Sequence, residues 1–252
     1  MKPKFRIGII GGMGPLAGVE LHRLIIEATD AAVDQDHLEV FLYTNPHIPD
    51  RTLSLQDDNG TSYVDEVVRS IHRLELVNVD ILVMACMTAH ARFDDIQQQI
   101  KTPLLNAINL TQRALRNQSK GNRVLLLATN GSLESRVYIQ GGDDIGWIIP
   151  EGQTQHGVMD VIYGVKARGK DAALVARLRK IIQAFDCDTV VLGCTELGLF
   201  FDDLTQHGYQ VVDPLRLVAK ELVDLSTVWG VHTLSTHLIK PSQVRDKTPI
   251  LC

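Results

Sequence analysis

Two cysteines carry the first chemical signal in this chain. Cys86 follows the run Ile81-Leu82-Val83-Met84-Ala85, and Cys194 follows Thr189-Val190-Val191-Leu192-Gly193. A short continuous apolar run reads as a strand buried on both faces of a parallel sheet. Each cysteine is preceded by a small residue and followed within two positions by a threonine, Thr88 or Thr195, where a helical pattern begins. Each thiol is therefore expected at the carboxyl end of a strand, where open α/β sheets bind their ligands. If the two units face each other, one thiolate can remove a proton from a carbon while the opposite thiol returns one to the other face. The product is the inverted stereoisomer, and no cofactor takes part. A free thiol has a pKa of about 8.5, and a helix N-terminus beside it favours the thiolate. The other reading is a pair of inert thiols packed in a core. A metal site is not expected, because there is no C-x-x-C pair and no third ligand. Cys187 and Cys252 lack this context. The first is expected to pack and the second to be an exposed terminal thiol.

These residues need elements to hold them. Strands are expected over residues 5–10, 39–44, 80–85 and 103–106, then over 123–128, 147–149, 189–193 and 210–212. Helices are expected from Pro15 to about Val33, over 62–76, from Thr88, over 107–117, 132–139, 157–167 and 171–185, near Thr195, and over 214–228. Residues 45–60 read as a long polar loop with two prolines, a length that in compact α/β units is usually functional. Alternating strands and helices argue for a doubly wound parallel sheet. The pattern also restarts after 119–122. Residues 5–10 with their glycine loop resemble 122–127 with Thr129 to Gly131, and 81–88 resemble 189–195. The fold class is therefore α/β, with two similar Rossmann-like parallel-sheet domains related by pseudo-twofold symmetry and an active site in the cleft between them. The last strand and helix are expected to return to the first half. Boundaries fall at 1–106 plus about 213–228 for the first domain and 107–212 for the second, with 229–252 as a tail.

The loop Gly12-Met13-Gly14-Pro15-Leu16-Ala17 fits G-x-G-x-x-A, a dinucleotide fingerprint. That fingerprint needs an acid at the end of the second strand, which here ends Tyr43-Thr44-Asn45, with Asp34 and Asp36 before it. Backbone N–H groups of this loop holding a small carboxylate are the better reading. The 252 residues are 45% hydrophobic and 22% charged, with a net charge of −5. That is an ordinary soluble composition, with no basic stripe for nucleic acid or an anionic membrane. No apolar run approaches the roughly 18 residues of a membrane span. Four scattered cysteines and no export signal point to reduced thiols in a cytoplasm.

Taken together, five stretches resemble the aspartate/glutamate racemases, the cofactor-independent, two-cysteine amino-acid racemases, in their aspartate racemase form. They are Ile9 to Pro15, Asn45 to Thr52, Cys86 to His90, Tyr163 to Lys166, and Leu192 to Leu197. The resemblance implies that Cys86 and Cys194 are the acid–base pair and that Arg51 and Lys166 hold the substrate's carboxylates. It implies that Met13, Thr88, Thr129, Ser132 and Thr195 line the site, and that the protein is a homodimer acting on a small acidic amino acid. Two negative groups in a closed cleft each need a cation or several N–H donors. Read without the resemblance, Arg51 is a solvated loop charge and Lys166 a surface helix charge. One position departs from the family's Cys-Asn-Thr, since Met87 stands where the amide should be. Either another group replaces that amide's hydrogen bonds or the pocket prefers a different substrate, for example glutamate or a methylated aspartate. Relatives that isomerise or decarboxylate small diacids, and a non-catalytic acid-binding protein, are the alternatives.

Overall fold

The structure, a computed structural model, describes residues 5–117 and 123–228. The expected connection at 119–122 and the tail at 229–252 lie outside the described residues. The first half runs β1 (Arg6–Gly11), α1 (Pro15–Ala28), β2 (Glu39–Thr44), α2 (Arg51–Asp58), α3 (Thr61–Glu75), β3 (Ile81–Met84), α4 (Phe93–Gln97), β4 (Leu104–Leu105) and α5 (Ala107–Arg116). The second runs β5 (Arg123–Leu127), α6 (Asn130–Glu134), β6 (Gly146–Ile148), α7 (Gly152–Arg168), α8 (Ala172–Ile182), β7 (Thr189–Leu192), α9 (Phe201–Gln206), β8 (Val211–Val212) and α10 (Pro214–Val228).

The strands form two four-stranded sheets, ordered β2-β1-β3-β4 and β6-β5-β7-β8, and every pairing is parallel. Counted within its own half, each sheet has the order 2-1-3-4, so the repeat suggested by the sequence is a repeat of topology. The central strands β3 and β7 are buried along their whole length, which is why they read as unbroken apolar runs. One apolar cluster joins the halves. It holds Val83, Ala85 and Met87 together with Leu126, Ala128, Tyr138 and Val191, and Leu215 and Val218 of α10. Two further clusters cover the outer faces, one under α3 and one under α7 and α8.

The last strand does not return to the first half, because Val190 and Val191 of β7 pair with Val211 and Val212 in the second sheet. Only α10 crosses back, packing on α1 and α5. The polar stretch 45–60 is not all loop. Asp50 caps α2, its Oδ1 accepting from the backbone N–H of Thr52 (2.9 Å) and Leu53 (3.1 Å). Helix α1 stops at Ala28 rather than near Val33. The Thr29 hydroxyl bonds the Ile25 carbonyl at 2.7 Å, and Thr29 itself is extended. After Cys86 and Cys194 the chain makes short 3₁₀ turns, Thr88–Arg92 and Leu197–Phe200, before α4 and α9. The α-helix expected over 132–139 is the single turn α6, and α7 begins at Gly152, five residues before its expected start.

Candidate active site

Both thiols line one cleft between the two sheets. Cys86 lies just past the end of β3, where the Ala85 N–H bonds the Ile10 carbonyl of β1 at 3.0 Å. Its carbonyl is held by His90, whose Nδ1 lies 2.9 Å away, while the Ala107 N–H donates to His90 Nε2 at 3.2 Å. Because Nε2 accepts, Nδ1 carries the proton and the ring is neutral. Burial pulls the His90 pKa down to about 4, so the ring stays neutral at physiological pH. The second thiol has a matching support. Tyr138, fully buried, donates its hydroxyl to the carbonyl of Gly193 at 3.2 Å, one residue before Cys194.

Around Cys194 the charges converge. The Cys194 thiol and the Thr195 hydroxyl both donate to Oε2 of Glu196, at 3.0 and 3.1 Å. Lys166 Nζ stands 3.9 Å from Oε1 of the same carboxylate and 5.8 Å from the Tyr163 ring centroid. Burial, then the Glu196 charge and its hydrogen bond, push the Cys194 thiol well above its ordinary range. The expected activation by a helix N-terminus therefore does not operate at Cys194. Past Glu196 the chain makes only a four-residue 3₁₀ turn, whose dipole is too small to outweigh a carboxylate at 3.0 Å. Burial works against the charge of Lys166, but Glu196, Cys194 and Cys86 outweigh it and the ammonium is held.

Arg51 is buried, not solvated. As the first residue of α2 it turns back across the site. Its guanidinium donates to the carbonyls of Met13 and Pro49, each at 2.9 Å, which ties the glycine loop of the first strand to α2. Its Nε has no partner among the described residues. Burial opposes its charge, and the neighbouring Cys86 and Asp50 outweigh the burial. Gly12 has φ of +102°, and a Cβ there would lie 2.1 Å from the Asn45 carbonyl oxygen. The loop needs that glycine to pack on Asn45, a reason independent of any dinucleotide.

Met13, Arg51, Met87, Thr88, Thr129, Lys166 and Thr195 line the same cleft as the thiols. Ser132 stands behind the wall. Its hydroxyl lies 3.0 Å from both the Thr88 and Thr129 hydroxyls, which are 2.9 Å apart, so a triad of hydroxyls spans the two halves. The cleft also holds residues to which the sequence reading assigns no role. Glu196 lies in the Cys-Thr-Glu run, and its signal is an acid two positions beyond the thiol. Met159, Ile162 and Tyr163 precede Lys166 on α7 at the spacing of one helix face. Among the described residues, no group of three or more His, Cys, Asp or Glu side chains is placed to hold a metal ion. Among them also, no helix is long and apolar enough to cross a membrane.

The sequence matches the model of the Asp/Glu/hydantoin racemase family over residues 10–222. The chain belongs to that family. It is an amino-acid racemase by family and fold. A solved structure of an aspartate racemase from Picrophilus torridus superposes with a TM-score of 0.78 and 32% identity, covering 89% of this chain and 95% of that one. The broad specificity amino-acid racemase RacX of Bacillus subtilis (strain 168) is 23% identical over 228 residues, which is 86% of this chain and 96% of the relative. A glutamate racemase of Lysinibacillus sphaericus (strain C3-41) is 32% identical over 127 residues, about half of each chain. The family resemblance read from the five motifs and the two-sheet α/β fold are both borne out.

Proposed function

We propose that this racemase interconverts L- and D-aspartate by two-base proton transfer between Cys86 and Cys194. The observation that carries the reading is the placing of the two thiols. They leave corresponding strands of two sheets of like topology and line one cleft that also holds Arg51 and Lys166. One sulfur takes the α-proton and the other delivers a proton to the opposite face, so the α-carbon inverts and no redox change occurs. Cys194, a thiol bonded to Glu196 at 3.0 Å, delivers its proton when Cys86 is the base, and the thiolate this leaves at Cys194 is the base for the reverse direction. Arg51 and Lys166 take the two carboxylates, and charge-assisted hydrogen bonds of this kind are about twice as strong as neutral ones. Thr88, Thr129 and Thr195 supply hydroxyls to the polar wall, and Ser132 fixes two of them. The same reading includes a homodimer, a cytoplasmic setting that keeps the thiols reduced, and no organic cofactor.

The test is L-aspartate in D₂O, monitored by proton NMR and chiral chromatography. Deuterium at the α-carbon and growth of D-aspartate are expected, and Cys86→Ser or Cys194→Ser should suppress both. Full turnover in both variants would falsify the two-thiol mechanism.

A further inference from the structure

Helix α5 carries a line of hydrogen bonds to each thiol. At its N-terminus the Ala107 N–H donates to His90 Nε2 at 3.2 Å, and His90 Nδ1 in turn holds the Cys86 carbonyl at 2.9 Å. Five residues on, about 7.5 Å along the helix axis, stands Gln112. Its Nε2 donates to the carbonyls of Tyr138 and Gln140 in the second half, each at 2.8 Å. Tyr138 then donates its hydroxyl to the carbonyl of Gly193, next to Cys194, at 3.2 Å. The line to Cys194 therefore crosses from one half to the other at Gln112.

Gln112 and Tyr138 are both buried. A buried amide has to find partners for its polar atoms, a demand that an apolar side chain filling the same space would not make. What the amide supplies is a fixed mount. The Trp147 indole N–H donates to the Gly142 carbonyl at 3.1 Å, and its ring stands edge-on to Tyr138 with centroids 6.3 Å apart, so the Tyr138 ring is held from a second side. Two-base transfer needs the two sulfurs at a set separation on opposite faces of one carbon, and a misplacement of about 1 Å costs about a hundredfold in rate. The two thiols leave different sheets, so that separation is set by whatever ties the halves together behind them.

We propose that Gln112 is a positioning residue for racemisation, setting the separation of the two sulfurs by holding Tyr138 against the Cys194 strand end. This rests on the two-thiol racemase reading. Gln112 and Tyr138 make and break no bond in the reaction. Their loss falls on kcat and leaves KM for aspartate little changed, because the carboxylate-binding cations Arg51 and Lys166 stand on α2 and α7.

Three variants test this by steady-state kinetics with L-aspartate, alongside α-deuteration by the wild-type enzyme in D₂O. Gln112→Met keeps the length of the side chain and removes both donors. Tyr138→Phe keeps the ring and removes the hydroxyl. Gly142→Ala adds a Cβ 3.0 Å from both Gln112 Nε2 and the Tyr138 carbonyl oxygen, at a position whose φ is not left-handed, so it pries that bond apart and alters neither partner. Each should lower kcat by about tenfold with KM within about twofold. Because Gln112 acts through Tyr138, the double variant Gln112→Met/Tyr138→Phe should lose no more than the larger single loss, not the product of about a hundredfold. If Gln112→Met does not fold, Gly142→Ala takes its place in the double variant. Losses that multiply, or kcat within about twofold of wild type in Tyr138→Phe and Gly142→Ala, overturn the inference, and deuteration by the wild type leaves the two-thiol reading standing. No deuteration by the wild type overturns both.

Discussion

The Cys194 thiol donates a 3.0 Å hydrogen bond to Glu196 Oε2, while among the described residues no carboxylate is bonded to the Cys86 thiol, which has the Arg51 guanidinium as a charged neighbour. The two thiols are thus unlike, although they occupy corresponding strand ends. An anion held against a buried thiol keeps the proton on sulfur. Glu196→Gln removes the charge and leaves an amide N–H that can donate to the thiolate. The pH at which iodoacetamide alkylates Cys194 should fall in this variant, tracked site by site by mass spectrometry with Cys86 as the internal control. An unchanged or higher pH at Cys194 would contradict the role given to Glu196.

Helix α2 carries Arg51 on one side and meets α6 of the other half on the next residue. A Cβ on Gly131 would sit 2.6 Å from Thr52 Oγ1 and 2.9 Å from Thr52 Cα. Backbone stands in the way, so α2 has to shift rather than a side chain rotate. Gly131→Ala should therefore displace Arg51 and raise KM for aspartate more than it lowers kcat, since binding of the anion is what the shift impairs. Steady-state kinetics tests this, and a fall in kcat at constant KM would argue against Arg51 as the binding cation.

The fold is legible where local pattern decides it. Buried central strands such as 81–84 and 189–192 show as unbroken apolar runs, and their repetition shows the second domain. Two features of the site are not legible, for a physical reason. Arg51 reads as a loop charge because its burial comes from long-range packing against the Met13 loop, 38 residues away in the chain. The tuning of Cys194 escapes a local reading because the helix pattern near Thr195 folds as a 3₁₀ turn, and because the direction in which the Glu196 carboxylate points is a tertiary fact. Met87 stands out in the sequence as a departure from the family, but its side chain is buried in the apolar cluster that joins the halves, which no local pattern supplies.

The hydroxyls of Thr88, Thr129 and Ser132 tie the halves together at the cleft. Thr129 has the most to lose, because its Oγ1 also accepts the Ser132 N–H at 3.2 Å as the cap of α6. Thr129→Val keeps the shape and removes both the cap and the bridge. A cost of about 1–3 kcal/mol is expected from the lost cap and the unpaired buried hydroxyls. Urea unfolding measures it. Thr129→Ser should recover most of the loss, and failure to do so would point to packing of the methyl group instead.

Two buried titrating groups act in opposite senses on stability over one pH range. Burial lifts the Asp213 carboxyl from 3.8 to about 6. The Leu215 N–H and Arg216 oppose that rise, and Glu20 and Asp202 add to it. The folded state therefore holds a proton that the unfolded state has lost. This contribution is fully present below about pH 3.8 and disappears as pH rises through about 6. His90 is the reverse. Its folded pKa is about 4 against 6.5, so its contribution is present above 6.5 and disappears as pH falls through about 4. Each is worth at most about 3 kcal/mol at roughly 1.4 kcal/mol per pH unit of difference, so in the native chain they largely offset each other between about pH 4 and 6. Asp213→Asn keeps an acceptor for the Leu215 N–H, bonded at 3.0 Å, and abolishes the Asp213 contribution. The difference in unfolding free energy between variant and wild type cancels the other carboxylates. It should be near zero at about pH 4 and climb in favour of the variant towards pH 6.5, by up to about 3 kcal/mol. Parallel stability curves for the two proteins would show that Asp213 is ionised as readily in the folded chain as in the unfolded one.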